Sequence, residues 1–335
     1  MTVTRIWSMA EGFGQVSNLL GVGDPNVHKI GDQWWMFLGG FQDTFKNNVF
    51  SACLPPGAPL SSTAWAFHTD ASDPRRAMSL IPQPGEDCWD GAGLHTPRYV
   101  TGFDASGNAV ERIYYSGRGS AEVIGNTGTR YAIGMLERSD GAWHRRAEPV
   151  FGGTEQHPFA VEPTVHYAEG KWRMWYNAAP TPGPGEQPRF RIKYTESRDG
   201  ETGWSAPVDF FAGRESYFDT SIVQGAYGYE LVASAGGNHF GTEPFPEQGL
   251  WWYEAKEAAG DRSYWSAEPV KILEVSGDVE WYANGVFGPS IQYGDTEADR
   301  DTMYVFFTGT YQPDSPPFPA PFFFAVGRAM LARPA

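Results

Sequence analysis

The apolar residues of this chain fall into short runs separated by turn residues, and the runs come in a repeating set. Each set opens with a small or acidic residue, then a proline or its equivalent, then any residue, then an aliphatic or aromatic one. The five copies are Asp24-Pro25-Asn26-Val27, Thr96-Pro97-Arg98-Tyr99, Glu162-Pro163-Thr164-Val165, Asp219-Thr220-Ser221-Ile222 and Gly288-Pro289-Ser290-Ile291. A turn and a second apolar run follow each copy: WWMF at 34–37, RIYYS at 112–116, WRMWY at 172–176, YELVAS at 229–234 and MYVFF at 303–307. A third run comes next, at 49–53, 130–136, 191–197, 250–255 and 322–329. A fourth and shorter one is marked by Trp65, Trp143, Trp204 and Trp265. Turns such as Tyr167-Ala168-Glu169-Gly170-Lys171 carry the glycine and charge that hairpins use.

Four antiparallel strands repeated five times predict a five-bladed β-propeller, all-β, as a single domain over residues 1–335. The fifth copy has no tryptophan strand after it, but Thr4-Arg5-Ile6-Trp7-Ser8 at the other end of the chain has that character. Residues 3–8 are therefore predicted to form the outer strand of the last blade and to close the ring, which removes open sheet edges. A sandwich or a larger barrel is the competing architecture. The fourfold pattern with its N-terminal supplement favours the propeller.

Composition sharpens this picture. Aromatics reach 15%, with 40 Gly and 26 Pro, a mixture suited to many short strands and tight turns. The formal net charge of −15 repels phosphate backbones, so no nucleic-acid partner is expected. No stretch approaches the roughly 18 apolar residues of a membrane span. The first 20 residues lack a basic start followed by an apolar core, which reads as a cytoplasmic location. Cys53 and Cys88 are too few for a zinc site and read as inert thiols. There is no Walker loop, no GxGxxG opening a helix and no HExxH. No cofactor or metal is expected, with a structural cation in the central channel left as an open alternative. The acidic run Asp295, Glu297, Asp299 and Asp301 reads as a solvated hairpin.

In a propeller the innermost strand of each blade lines the channel, so equivalent positions on the five inner strands converge. Here they are Asp24, Thr96, Glu162, Asp219 and Gly288. Three of the five are acidic, although acidic residues are depleted in strands and seldom buried without partners. Converging carboxylates repel, which raises at least one carboxyl pKa and marks a candidate catalytic or binding site. The plainer reading is that each carboxylate accepts a backbone hydrogen bond from the next blade and staples the ring.

Gly23-Asp24-Pro25-Asn26-Val27 followed by Gly31-Asp32-Gln33-Trp34-Trp35 resembles the first-blade signature of family 43 glycoside hydrolases. Val161-Glu162-Pro163-Thr164-Val165 followed by Glu169-Gly170-Lys171-Trp172-Arg173-Met174-Trp175-Tyr176 is similar to their third blade. As a blade pattern the resemblance covers nearly the whole chain and extends to the related families 62, 117, 32, 68 and 130. It implies inverting acid–base hydrolysis of a glycoside, with Asp24 as general base, Glu162 as the carboxyl that tunes the acid, and Asp219 as general acid. Two residue types are exchanged relative to the family, with Glu for Asp in the third blade and Asp for Glu in the fourth. An inverting pair stands roughly 6.5–9.5 Å apart to admit water, and a retaining pair about 5–5.5 Å.

Substrate contacts are expected from His95 and Arg98 beside the second-blade motif, from Trp89, Phe218 and Tyr282 on the loops before inner strands, and from His239 in a fourth-blade loop. The partner is then a carbohydrate or other small molecule. Two further readings stay in play. One is a propeller enzyme redirected to a cyclisation, lyase or isomerase step in specialised metabolism. The other is a carbohydrate-binding propeller without turnover.

Overall fold

The computed structural model describes residues 1–44, 46–120, 131–181, 190–211, 217–235, 247–275, 277–318, 320 and 323–334. The chain is all-β. It opens with β1 (Thr2–Ser8). A first unit follows, made of β2 (Leu19–Ile30), β3 (Gln33–Gln42), β4 (Asn47–Cys53) and the two-residue β5 (Ala66–Phe67), with a small hairpin β6 (Thr69–Asp70) and β7 (Asp73–Ala77). The second unit is β8 (Gly93–Phe103), β9 (Ala109–Arg118), β10 (Tyr131–Ser139) and β11 (Ala142–Arg145). The third is β12 (Phe159–Ala168), β13 (Lys171–Ala179), β14 (Arg191–Ser197) and β15 (Val208–Asp209). The fourth is β16 (Tyr217–Gly225), β17 (Gly228–Ala235), β18 (Gly249–Ala255) and β19 (Val270–Glu274). The fifth holds β20 (Gly285–Tyr293), β21 (Thr302–Tyr311) and β22 (Phe323–Ala332).

Within each unit the strands pair antiparallel in chain order. The fifth unit gains its fourth strand from the other end of the chain, where β1 pairs antiparallel with β22 and Thr2 lies opposite Met330. The sheets of the first and second units are joined by a single parallel bridge between Asn47 and Gly93. Each inner strand packs beside the next, β2 by β8, β8 by β12, β12 by β16, β16 by β20, and β20 by β2.

Five hydrophobic clusters fill the spaces between successive units, and the last of them joins the fifth unit to the first through Val27, Tyr304, Phe306 and Val326. Because each unit is covered on both faces, the second strands are buried almost without interruption. Trp172 to Ala179 of β13 is one such run. Continuous apolar strands of this kind belong to sheets that solvent reaches from neither side. Each large side chain buried there contributes about 1.5–3 kcal/mol.

The outer strands differ from the tryptophan rule. Trp143 lies within β11, but Trp204 precedes β15 and Trp265 makes only an isolated bridge to Ala255 ahead of β19. These indoles pack edge-on against the adjoining unit, Trp204 on Tyr114 and Phe151, and Trp265 on Phe210. The acidic run at 295–301 is a turn in which Asp295 pairs with Lys29 and Asp299 accepts from Thr296 and Tyr304. Among the described residues no helix is long and apolar enough to cross a membrane.

Candidate functional site

The inner strands carry the site on a repeated break in their pairing. In β2 the register jumps between Gly23 and Asn26, in β8 between His95 and Arg98, in β12 between Val161 and Thr164, and in β20 between Phe287 and Ser290. The skipped pairs are Asp24-Pro25, Thr96-Pro97, Glu162-Pro163 and Gly288-Pro289. Proline has no N–H for the ladder, so a bulge is where a strand can hold it. The residue before it turns to left-handed φ, 53° at Asp24, 51° at Thr96, 55° at Glu162 and 58° at Gly288. For a β-branched residue such as Thr96 that conformation is a true outlier. Strain of this sort costs of order 1–3 kcal/mol per residue and collects at functional sites. β16 has no proline; its break skips Phe218 alone, and Asp219 keeps a partner in Ser234. The fourth copy is therefore built one residue out of step with the others.

These breaks bring Asp24, Thr96, Glu162 and Asp219 together at the starting ends of the inner strands. The Thr96 hydroxyl donates to Asp24 Oδ2 at 3.2 Å and lies 2.9 Å from His95 Nδ1. Since the single hydroxyl proton is committed to Asp24, His95 Nδ1 carries the hydrogen of that contact. His95 Nδ1 also lies 3.6 Å from Glu162 Oε1. One donor atom each from Asp24, His95 and Glu162 fit within 4.8 Å of one another, close enough for a small cation to bridge. Asp219 Oδ2 accepts the Gly288 N–H at 3.0 Å, so the stapling role is met by this carboxylate. One oxygen of each acid, Asp24 Oδ1, Glu162 Oε2 and Asp219 Oδ1, is buried without a partner.

Burial dominates the electrostatics. It pushes the Asp24 carboxyl up to about 7, with the Asp219 charge adding to the rise and Arg98 and Thr96 opposing it. Burial, then Asp219 and Asp24, hold Glu162 well above the usual carboxylate range. Asp219 is also raised by burial, against the pull of Arg98 and of the Gly288 N–H. Burial holds His95 down at about 3, with Arg118 helping, so its ring is neutral.

Arg98 is 3% exposed, and its charge opposes the rise of all three acids. His28 and His166 are both kept neutral chiefly by burial, at about 3 and about 4. The sequence does not single out Thr96, His28 or His166 as site residues. The signal available was their placement, at the acidic position itself and four residues beyond it in the first and third copies.

The contacts of the remaining candidates are these. Trp89 donates its indole N–H to Ala147 O and packs between the first and second units on Tyr115. Tyr282, 4% exposed, is part of the cluster between the fourth and fifth units, against Trp281 and Phe307. Phe218 meets Phe190 edge-on and its carbonyl accepts from Asn177. His239 lies outside the described residues. An open cleft of about 570 Å³ lies on the rim between the third and fourth units, remote from the carboxylates. Three of its acids, Glu196, Asp209 and Asp261, are engaged with Lys171, Lys193 and Ser263.

No family model matches the chain, and no curated protein matches it in sequence. Solved structures do match its fold. A thermostable family-43 glycoside hydrolase superposes with TM-score 0.63 at 14% identity, covering 94% of this chain and 90% of that one. An alpha-L-arabinofuranosidase from Lactobacillus brevis gives TM-score 0.60 at 14% identity, covering 93% and 92%. The catalytic domain of a family 62 alpha-L-arabinofuranosidase from Coprinopsis cinerea gives 0.54 at 12%, covering 97% and 95%. The chain therefore has the propeller fold of these glycoside hydrolases.

Proposed function

We propose that the chain is a single five-bladed propeller closed by its N-terminal strand, and a glycosidase-type hydrolase acting on a carbohydrate through Asp24, Glu162 and Asp219. The five units, the β1–β22 pairing and the cluster joining the fifth unit to the first support the ring. One observation carries the chemistry: three carboxyls at or beside the breaks in three inner strands meet, each with an orphaned oxygen, in a fold shared with such enzymes. No cofactor is invoked, and the acidity of the chain argues against nucleic acid.

Asp24 is the ionised carboxylate in this reading. Blade order puts the acid on Asp219 and the tuning role on Glu162. The local contacts favour the exchange of those two roles. Asp219 is 1% exposed and holds the Gly288 N–H, a bond that suits a fixed anion. Glu162, 7% exposed, is the more accessible of the two and its carboxyl is raised well above its ordinary range.

The resemblance implies inversion, in which Asp24 activates water. A second route is suggested by the close approach of Asp24 and Glu162, one oxygen of each lying within 4.8 Å of the other. In a retaining enzyme the two carboxyls stand about 5–5.5 Å apart; Asp24 would attack the anomeric carbon, and Glu162 would first protonate the leaving group and then take a proton from the incoming water.

The test is turnover of a panel of aryl furanosides and pyranosides, with Asp24→Asn as control and the first-formed anomer read by proton NMR. Asp24-dependent release establishes glycosidase chemistry, and the anomer assigns the route. No release from any substrate by the folded protein would overturn the reading in favour of a redirected pocket.

A further inference from the structure

One position on the second strands carries a buried polar side chain in unit after unit. It lies opposite the residue just before the channel residue, where β3 has Gly39, β9 has Ser116, β13 has Asn177 and β21 has Thr308. In the fourth unit, which is a residue out of step, Ser234 of β17 lies opposite Asp219 itself. Ser116, Asn177, Ser234 and Thr308 are all fully buried.

Three of these side chains reach across to the next unit, and each holds the peptide group directly before an acid. Thr308 Oγ1 accepts the Asp24 N–H at 2.8 Å, and Ser116 Oγ accepts the Glu162 N–H at 2.8 Å. Asn177 Nδ2 donates to the Phe218 carbonyl, which belongs to the peptide before Asp219. Asp24 and Glu162 have left-handed φ and Asp219 does not. The fourth copy thus offers a carbonyl where the other two offer an N–H, and the residue type follows, an amide donor in place of a hydroxyl acceptor.

Backbone strain alone does not account for this grip. Thr96 and Gly288 share the left-handed φ, at 51° and 58°. The residue placed to hold Thr96 is Gly39, where a Cβ would lie 3.4 Å from Thr96 N but no side chain exists. Ser234, in the corresponding place before Gly288, bears on Asp219 of its own unit, and the Gly288 N–H goes to Asp219 Oδ2. The second-strand grip therefore follows the acids and passes over the two channel positions that carry no carboxyl.

We propose that Thr308, Ser116 and Asn177 are positioning residues, each clamping from the neighbouring unit the peptide group that aims one of the three carboxyls. A carboxyl swings with the peptide plane next to it, and catalysis tolerates little misplacement. The inference rests on the three acids being the working groups of the site.

Kinetics and backbone geometry of the full-length chain test it. Thr308→Val keeps the shape and removes the acceptor at Asp24, and Ser116→Ala removes it at Glu162. Each is expected to lower kcat about tenfold or more while KM stays within about threefold. Thr308→Ser keeps the hydroxyl and should restore most of kcat. The comparison variant is Ser290→Ala, which removes a bond of the same kind, from the Val27 N–H at 2.9 Å. It should lower the urea midpoint as Thr308→Val does and leave kcat unchanged. An equal fall of kcat in those two, or an unchanged kcat in both Thr308→Val and Ser116→Ala, would overturn the proposal.

A readout without substrate separates this from the hydrolase reading. Left-handed φ brings the amide and α protons of a residue together, so Asp24 and Glu162 of the unaltered protein should show strong intraresidue HN–Hα NOEs. The Asp24 NOE should weaken in Thr308→Val and persist in Ser290→Ala, and the Glu162 NOE should weaken in Ser116→Ala. NOEs that do not change in the folded variants would sink the assignment. If Thr308→Val does not fold, Ser116→Ala decides at Glu162. No turnover by the unaltered protein, with the NOEs lost as expected, would refute the hydrolase reading and leave this one standing.

Discussion

The Thr96 hydroxyl bridges His95 Nδ1, at 2.9 Å, and Asp24 Oδ2, at 3.2 Å, across the gap between two inner strands. The relay fixes the Asp24 carboxylate from a residue that itself holds a strained φ of 51°. A hydrogen bond to a charged group is worth about 1.5–3 kcal/mol. Thr96→Val keeps the shape and removes the donor, and is expected to lower kcat/KM about tenfold or more while raising the pH of the acidic limb. Thr96→Ser should keep most of the activity. A pH profile unchanged in Thr96→Val would show that the relay does not serve Asp24.

The exchange of roles between Glu162 and Asp219 makes a separate claim. A glycosidase lacking its acid still cleaves substrates whose leaving group needs no proton. Glu162→Gln is expected to lose activity on alkyl glycosides by about 100-fold or more and to keep much of it on dinitrophenyl glycosides. Asp219→Asn should lose activity on both alike. The reverse pattern, read from kcat/KM on the two substrate classes, would return the acid to Asp219.

Gly288 is the one channel position without a side chain, and geometry accounts for it. Its φ is 58°, and a Cβ there would lie 2.7 Å from Asp24 Oδ1. Gly288→Ala is expected to cost about 1–3 kcal/mol and to displace Asp24, so that activity falls more steeply than stability. Urea unfolding and kcat/KM on the same preparation check both parts.

Ring closure has its own test. Removing residues 1–8 exposes the long edge of β22, whose partner along Thr2–Ser8 is β1. An unpaired edge of that length invites association with other chains. The truncated protein is expected to melt at lower temperature and to form larger species by size-exclusion chromatography. A monomer of unchanged Tm would mean that β1 is decoration.

The second and third strands were legible as apolar runs bounded by turns, and the places of Asp24 and Glu162 followed from the proline after each, whereas the fourth copy has no proline and Asp219 lies one residue out of step. The outer strands were less so. Their tryptophans serve the neighbouring unit's packing, and Trp204 and Trp265 need not lie in a strand to do it. The large rings ahead of the inner strands divide in the same way. Trp89 lies over Gly117, and the Trp281 ring with the Tyr282 Cβ lies over Gly309, whose missing side chains make room between units. Those glycines are visible in the sequence, but their pairing with a particular ring is not. One set of staples between inner strands was readable in principle, since Asn26, Thr164, Ser221 and Ser290 are polar at one repeat position and each bonds the backbone of a neighbouring inner strand.

The buried acids also predispose the protein to a distinctive pH dependence. The Asp24 carboxyl lies near 7 in the folded chain and near 3.8 unfolded. Between those values the native state holds more protons than the unfolded one, so stability falls as pH rises. The contribution is whole below about pH 4 and gone above about pH 7. Glu162 and Asp219 are raised as well and act with the same sign. His28, His95 and His166 act oppositely: kept neutral by burial, they lose stability as pH falls from about 6.5 towards their folded values. The two trends mask each other in the unaltered protein, but not in a difference. Asp24→Asn leaves the histidines in place and removes one titrating acid. Relative to the unaltered protein it is expected to gain stability from pH 4 to about pH 7 and to level off above that, by about 1.4 kcal/mol for each pH unit over which Asp24 alone would titrate. Urea midpoints measured for both proteins across that range give the slope directly. A flat difference would mean that Asp24 is ionised throughout, and the source of its rise, burial beside Asp219, would have to be abandoned.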